Sequence, residues 1–229
     1  MQKIKFRNCI DAGLDVDTDK FSTDDIINEP MLFSSSMEFA RKNGGKITNT
    51  LLDKLDNLFF WDEYEIYHSE KGYVPVIDTK VVMLMKDQYP CIPGWHCDGV
   101  PREDKHSQPN MNLLNEDIYH LLCTVSDNEK GVSNTKFVKT PFSMKLNDNE
   151  KVWGQVNKKV EEYIKDGSIE TMETKDNMLY LFRRDSIHSG QPAKRNGWRF
   201  FFRLSFYHTP PKNEIRKQVQ VYANPNKGW

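Results

Sequence analysis

The sequence predicts a mainly β domain with flanking helices. Between residues 79 and 208, apolar runs of strand length rich in aromatic and β-branched residues alternate with turns that contain Gly or Pro. The strongest run is 197–208, where every second residue from Trp198 to Phe206 is large and apolar. Helical periodicity, by contrast, is confined to residues before 60 and to one later segment, 149–165. The pattern therefore favours a sheet-based core over a helical bundle.

Two helices are predicted in the N-terminal part of the chain. The first covers residues 35–42 and is expected to begin with a capping box formed by Ser35 and Glu38. The second is expected to begin at Thr48, with one apolar stripe formed by Leu51, Leu52, Leu55 and Leu58. Both helices are predicted to support the sheet from outside.

The remaining elements follow from their periodicity. Strands are predicted at 3–9, 63–68, 79–86, 118–125, 135–139, 168–174, 177–182 and 197–208. Within 149–165, valines and an isoleucine recur every four residues, which predicts an amphipathic helix inserted between strands. The polar segment 99–116 predicts a long loop that is either a lid over a site or a mobile surface loop.

The composition excludes several classes of protein. The 32 Lys and Arg residues nearly balance the 33 Asp and Glu residues, so no overall basic field favours nucleic acid. A charged fraction of 28% and an aromatic fraction of 12% are typical of a folded domain. No apolar run has the length of a signal peptide or a membrane span, so no membrane partner is expected. The four cysteines lack a CxxC pair, which predicts reduced thiols in a cytoplasmic protein.

Three residues form a candidate metal site. His96 and Asp98 are two positions apart, so both side chains leave an extended backbone on the same face. His188, which follows the predicted strand 177–182, can supply a second imidazole. Two imidazoles and one carboxylate suit Fe(II) and leave coordination positions open.

A second group of polar residues lies on the strand 197–208. Arg199, Arg203 and Ser205 share the face opposite the apolar side chains. This face either meets solvent or lines the inside of a barrel, where a bound anion compensates the arginines. Guanidinium groups and a nearby hydroxyl are suited to binding a carboxylate.

These residues give the sequence its resemblance to the iron(II)/2-oxoglutarate-dependent dioxygenases. The resemblance rests on His96-x-Asp98, on His188, and on Arg203-x-Ser205 fifteen residues after His188. It implies a double-stranded β-helix, the cupin-like jelly-roll barrel. Residues 1–229 would then form a single dioxygenase-like domain, with N-terminal helical support in 1–60, a barrel core in 79–208 and a C-terminal tail in 209–229. The resemblance identifies no subfamily.

The resemblance also implies roles for these residues. His96, Asp98 and His188 would be the catalytic metal ligands, and Arg203 with Ser205 would bind the distal carboxylate of 2-oxoglutarate. Arg199 is a candidate for the C1 carboxylate of 2-oxoglutarate or for substrate. The implied cofactor is Fe(II), with 2-oxoglutarate and O2 as co-substrates.

The implied reaction is hydroxylation or another oxidation of a C–H bond, with release of succinate and CO2. The favoured substrate is a small molecule: a metabolite, an amino acid or a natural-product intermediate. One alternative is a nucleic-acid base, whose phosphates a basic cluster around His188 could contact (Arg183, Arg184, Lys194 and Arg195). Others are a peptide side chain and a non-catalytic metal- or ligand-binding barrel. The sequence gives no prediction of oligomeric state.

Overall fold

The computed structural model describes residues 2–16, 21–57, 61–102, 108–127 and 131–223. The strands are β1 (Gln2–Phe6), β2 (Ile10–Asp15), β3 (Met31–Phe33), β4 (Val74–Leu84), β5 (Tyr119–Ser126), β6 (Thr135–Val138), β7 (Phe142–Leu146), β8 (Thr171–Glu173), β9 (Met178–Arg183), β10 (His188–Gly190), β11 (Gly197–Tyr207) and β12 (Glu214–Arg216). The helices are α1 (Thr23–Ile27), α2 (Met37–Asn43), α3 (Lys46–Asp56), α4 (Trp61–Ser69) and α5 (Val152–Lys165).

Two antiparallel sheets form the barrel. The large sheet has the order β2-β9-β5-β11-β4, and the small sheet has the order β10-β6-β8. His96 adds a β-bridge to His188 beside β10. From β4 onward the chain repeatedly crosses between the sheets: β4, the His96 segment, β5, β6 and β8, β9, β10, then β11. This is a jelly-roll connection, so the predicted mainly β barrel with flanking helices is confirmed.

The side chains of the two sheets meet inside the barrel. Leu122 on β5, Phe182 on β9 and Phe137 on β6 form one buried cluster, against which Phe201 of β11 packs. On the opposite face of β11, the side chains from Phe200 to Phe206 are buried against the N-terminal helices, which contribute Ile26, Ile47 and Leu51 among others. The helices therefore cover the outside of the large sheet, as predicted.

A second core lies beneath α5. Trp153, Val156 and Val160 form the buried stripe of this helix and pack with Trp95 and Ile187. The amphipathic helix predicted within 149–165 is thus confirmed, and its apolar stripe packs in the core. Because Trp95 and Ile187 flank the metal-ligand candidates, this helix lies directly behind the site.

One predicted strand is wrong, since residues 63–68 lie in α4. The segment alternates Glu with apolar residues, which resembles a strand, but Glu is also a good helix former. Ile66 is 57% exposed, whereas His68 is fully buried and stacks on the Phe206 ring at a centroid distance of 3.9 Å. The packing of this helix on the sheet therefore decides its conformation, despite the strand-like alternation of Glu and apolar residues in the sequence.

The predicted helix starts are also displaced. Ser36, not Ser35, caps α2, and its side chain accepts a hydrogen bond from the Phe39 N–H. Gly45 precedes α3, while Thr48 lies inside the helix and donates to the buried Glu29 carboxylate at 2.7 Å. Leu51, Leu52 and Leu55 are buried as predicted, and Leu58 lies outside the described residues.

Segment 99–116 is partly described. Residues 103–107 lie outside the described ranges, and residues Met111–Leu113 form a 3-10 turn. Met111 and Leu114 are buried in the second core, so this end of the segment is packed on the body of the protein. Among the residues that the structure describes, no helix combines the length and apolar character needed to cross a membrane.

Candidate metal centre and adjoining cavity

The two candidate histidines are brought together by backbone pairing. The His96 N–H donates to the His188 carbonyl at 3.0 Å, and the His188 N–H donates to the His96 carbonyl at 2.9 Å. Asp98 follows two residues later on the same face, as the alternation of an extended chain requires. One ligand atom from each of His96, Asp98 and His188 lies within 4.8 Å of the others.

The hydrogen bonds of both imidazoles orient them for metal binding. His96 Nδ1 is 3.0 Å from the Gly94 carbonyl, and His188 Nδ1 is 3.0 Å from the Ser186 carbonyl. A carbonyl oxygen only accepts, so Nδ1 carries the proton and Nε2 carries the lone pair in each neutral ring. The two Nε2 atoms lie 3.9 Å and 3.4 Å from the Asp98 carboxylate. This donor set fits a divalent transition metal such as Fe(II).

Asp98 is held ionised by its neighbours. Burial alone would raise its pKa, but the Arg203 guanidinium holds the pKa of Asp98 well below its usual range. Arg203 Nη1 donates to Asp98 Oδ2 at 2.7 Å. Cys97, between the two candidate ligands, is buried in the core with Trp95 and so lies on the other face.

A cavity of about 450 Å³ adjoins the triad. The large sheet contributes Lys80, Leu122, Phe182, Arg199, Phe201 and Arg203 to its lining. The C-terminal tail contributes Arg216, Gln218, Val219, Gln220 and Tyr222. The tail therefore packs on the body of the protein and covers one wall of the cavity. No described residue of 99–116 lines it.

Arg203 and Ser205 already have protein partners. Besides Asp98, Arg203 contacts Asp78 of β4, to whose Oδ2 its Nη2 donates at 2.8 Å. Ser205 is fully buried, and its hydroxyl lies 2.8 Å from His120 Nδ1. Ser205 is not part of the described lining of the cavity.

Arg199 is placed differently from Arg203. Its Nε donates to the Ser133 carbonyl at 2.6 Å, which fixes the direction of the guanidinium. Among the residues described by the structure, its terminal nitrogens have no hydrogen-bond partner within range, and no carboxylate lies within 4 Å. Asp176 acts on this guanidinium only from a greater distance. Arg199 lines the cavity, so its terminal nitrogens can bind an anion there.

The sequence interpretation missed Asp78 and Lys80. Both lie on β4, opposite Arg203 and Phe201 of β11, and therefore share the inward face of the sheet. The available signal was the presence of two charged residues two positions apart in an otherwise apolar strand. The tail carried a signal that the sequence interpretation did not use: Gln218, Gln220 and Tyr222 alternate with Val219 and Val221. In the structure the two valines pack against a buried cluster, while Gln218, Gln220 and Tyr222 line the cavity.

The basic cluster considered for phosphate binding is engaged in ion pairs. Arg183 pairs with Asp117, Arg184 with Glu116, Lys194 with Glu173 and Arg195 with Asp127. Arg184 is also only 2% exposed. These four side chains therefore present no uncompensated charge to a nucleic-acid backbone.

Comparisons with known proteins gave similarities in structure alone. No protein-family model matches the chain, and no curated protein matches it in sequence. AviO1 from Streptomyces viridochromogenes Tue57 is 12% identical, with 87% of this chain and 90% of that chain covered and a TM-score of 0.41. An N-substituted L-amino acid dioxygenase from Burkholderia ambifaria AMMD is 16% identical, with 61% and 52% covered and a TM-score of 0.34. The non-heme monooxygenase ThoJ, as a nickel complex, is 9% identical, with 58% and 43% covered and a TM-score of 0.32.

The matches to ThoJ and the Burkholderia dioxygenase span only about half of those proteins' own lengths. All three TM-scores lie below 0.5, so the fold is assigned from the strand topology of the chain itself. That topology and the His96/Asp98/His188 set define a jelly-roll protein with a two-histidine, one-carboxylate site. In both respects the chain resembles the iron(II)/2-oxoglutarate-dependent dioxygenases. The resemblance does not identify a subfamily.

Proposed function

We propose that the protein is an Fe(II)/2-oxoglutarate-dependent oxygenase that hydroxylates or otherwise oxidises a C–H bond of a small organic substrate. The observation that carries this proposal is the juxtaposition of the His96/Asp98/His188 triad with a cavity into which Arg199 presents unpaired nitrogens. The triad would bind the metal ion, and Arg199 would bind a carboxylate of an anionic co-substrate.

The proposed reaction balances without any further oxidant. One oxygen atom of O2 enters the substrate C–H bond, and the other enters succinate as 2-oxoglutarate loses CO2. When bound by His96, Asp98 and His188, Fe(II) would supply the redox chemistry that couples these two oxidations. The protein contributes ligand orientation through the Gly94 and Ser186 carbonyls.

We assign the distal carboxylate of 2-oxoglutarate to Arg199 in place of Arg203 and Ser205. Arg203 touches Asp98 and so lies beside the metal position, and both of its terminal nitrogens are engaged. Arg199 lies four residues along β11, about 13 Å away by strand rise, with its terminal nitrogens toward the cavity. Arg203 then orients the metal-binding carboxylate, and Ser205 fixes His120.

The remaining cavity suits a small substrate. A volume of about 450 Å³ falls within the range of small-molecule sites, and co-substrate and substrate must share it. Leu122, Phe182 and Phe201 give part of the wall an apolar character. This wall excludes water from the reacting groups and strengthens electrostatic contacts inside the cavity. No surface feature described above favours a nucleic-acid substrate.

The test compares two matched arginine variants by calorimetry. In the Mn(II)-loaded protein, Arg199→Met should raise the Kd for 2-oxoglutarate about ten- to hundredfold, because a charge-assisted carboxylate contact is lost. Arg203→Met should mainly weaken Mn(II) binding, since it removes the partner of Asp98. Succinate release with Fe(II), screened against pooled metabolites, then tests turnover.

Two outcomes would contradict this assignment. A Kd for 2-oxoglutarate that rises in Arg203→Met and Ser205→Ala but not in Arg199→Met would return the co-substrate to the Arg203-x-Ser205 pair. Failure of the wild-type protein to bind Mn(II), or equal binding by His188→Ala, would reject the metal site and with it the oxygenase.

A further inference from the structure

We infer that the substrate carries a carboxylate group and that Lys80 binds it. This inference rests on the proposed function and adds the chemical class of the substrate. It follows from the position of Lys80, its lack of a counter-ion, and the balance of charge inside the cavity.

Lys80 lies next to the candidate metal centre. It occupies β4 opposite Phe201, between the inward-facing Asp78 and Val82, and it lines the cavity. Its Nζ lies 5.5 Å from the centroid of the Phe201 ring. Lys80 is two residues from Asp78, whose partner Arg203 also donates to Asp98, and it lines the same cavity as His96, Asp98 and His188. An anion bound by Lys80 would therefore lie close to the metal.

The Lys80 ammonium has no carboxylate partner within 4 Å among the described residues. The carboxylates of its neighbourhood, Asp78 and Asp98, are both held by Arg203. Burial lowers the pKa of Lys80, so its charge is partly removed from water without a compensating ion pair. A partly desolvated ammonium of this kind is costly on its own and favours binding of an anion.

The balance of charge in the proposed complex also predicts that the substrate carries a negative charge near Lys80. Arg203 is balanced by Asp78, while Asp98 offsets half of the charge of a divalent ion. The 2-oxoglutarate dianion balances the remainder of that charge together with Arg199. Lys80 is then left without compensation inside the cavity. Arg216 at the tail also lines the cavity, but it is half-buried and stacks on Phe33 at 3.4 Å.

A neutral substrate would leave the Lys80 charge uncompensated beside the metal. A cationic substrate would be repelled by it. A monocarboxylate would instead be held by a charge-assisted hydrogen bond, with its remaining part against Phe201 and the apolar wall. The cavity therefore selects small acids over their neutral or basic analogues.

The experiment measures binding of matched acids and amides to protein loaded with Mn(II) and 2-oxoglutarate. The probes are N-acetyl amino acids, aryl-alkanoic acids and medium-chain alkanoic acids, each paired with its primary amide. Calorimetry on wild type should find acids that bind about tenfold or more tightly than their amides. In Lys80→Met this preference should fall below about threefold, whereas the Kd for 2-oxoglutarate should stay within about twofold of wild type.

Lys145→Met is the matched control, because Lys145 is exposed on β7 away from the cavity. It should keep the full preference for acids. Equal binding of acids and amides to wild type, or no binding of any acid, would overturn the inference even if Lys80→Met failed to fold. A preference that persists in Lys80→Met, or a Kd for 2-oxoglutarate that rises tenfold in this variant, would also overturn it. Absence of 2-oxoglutarate binding to wild type would instead reject the proposed function itself.

Discussion

His120 shows how a single residue outside the triad shapes the site. Its ring is fully buried, with Nδ1 at the Ser205 hydroxyl and Nε2 without a partner among the described residues. A Cβ at Gly99 would lie 2.8 Å from His120 Cε1, so the chain can turn after Asp98 only with glycine there. Gly99 also has a φ of +69°, which glycine tolerates best.

The buried histidines predict a pH dependence of stability in the metal-free protein. Burial lowers the pKa of His120 to about 3, and burial together with His188 lowers the pKa of His96 to about 4. Because these folded-state values lie below the unfolded value of about 6.5, the stabilisation is complete above that pH and declines as the pH falls toward them. Each group contributes a slope of about 1.4 kcal/mol per pH unit.

Urea unfolding at pH 7, 6 and 5 measures this slope. His120→Leu should reduce the slope below pH 6 by about 1.4 kcal/mol per pH unit, because the leucine does not titrate. A wild-type free energy of unfolding that stays constant from pH 7 to pH 5 would show that His120 and His96 are protonated as readily in the folded as in the unfolded state.

At the level of elements, α5 braces the segment that carries His96. The Trp95 N–H donates to Asn157 Oδ1 at 3.0 Å, and the Trp95 indole N–H donates to Glu161 Oε1 at 2.5 Å. Asn157 and Glu161 are one helical turn apart on α5. The helix therefore fixes the residue immediately before His96, the first candidate metal ligand.

We predict that the double variant Asn157→Ala/Glu161→Ala weakens Mn(II) binding about tenfold, since outer-shell contacts position the ligands. Lys158→Ala, an exposed change on the same helix, is the control and should leave the Kd unchanged. Calorimetric titration of each variant measures the effect. An unchanged Kd in the double variant, with an unchanged Tm, would show that the His96 segment keeps its geometry without these two side-chain contacts to α5.

The elements differ in how far the sequence predicts them. β5, β11 and α5 are long and strongly periodic, and their predicted positions agree with the structure to within a few residues. The missed strands β2, β3, β7, β10 and β12 are short or lie at edges, where pairing with a distant segment decides the conformation.

The same distinction applies to the candidate site. His96, Asp98 and His188 were found because local spacing and one distant histidine suffice to define the set, and the structure brings them together. The partner of Arg203 could not be found in that way, because Asp78 is separated from it by 125 positions. Only the register of β4 against β11 places these two side chains together.

On the scale of the whole molecule, the C-terminal tail closes the cavity. Val219 and Val221 pack against a buried cluster formed by Val82, Leu84, Val132 and Ala193. Tyr222 exchanges two backbone hydrogen bonds with Tyr89, at 2.7 Å and 3.0 Å. The tail is thereby held to the chain at Tyr89, shortly before the His96 segment, where it covers one wall of the cavity.

We predict that truncation after Arg216 weakens 2-oxoglutarate binding at least about fivefold, because water then enters the cavity and screens its charges. Mn(II) binding should stay within about twofold, since the ligands lie elsewhere. Truncation after Ala223 keeps every described lining residue and is the control. If calorimetry gives the same Kd for both truncated proteins, the tail does not shield the site.

The pairing of β4 with β11 limits where the chain can tolerate a change in length. The register is unbroken from Gly197 opposite Leu84 to Tyr207 opposite Val74. One residue inserted into β11 before Arg199 would exchange the two faces of the remaining strand, so phenylalanines would enter the cavity and the arginines would enter the apolar core. A length change in β11 is therefore expected to eliminate the site in one mutational step.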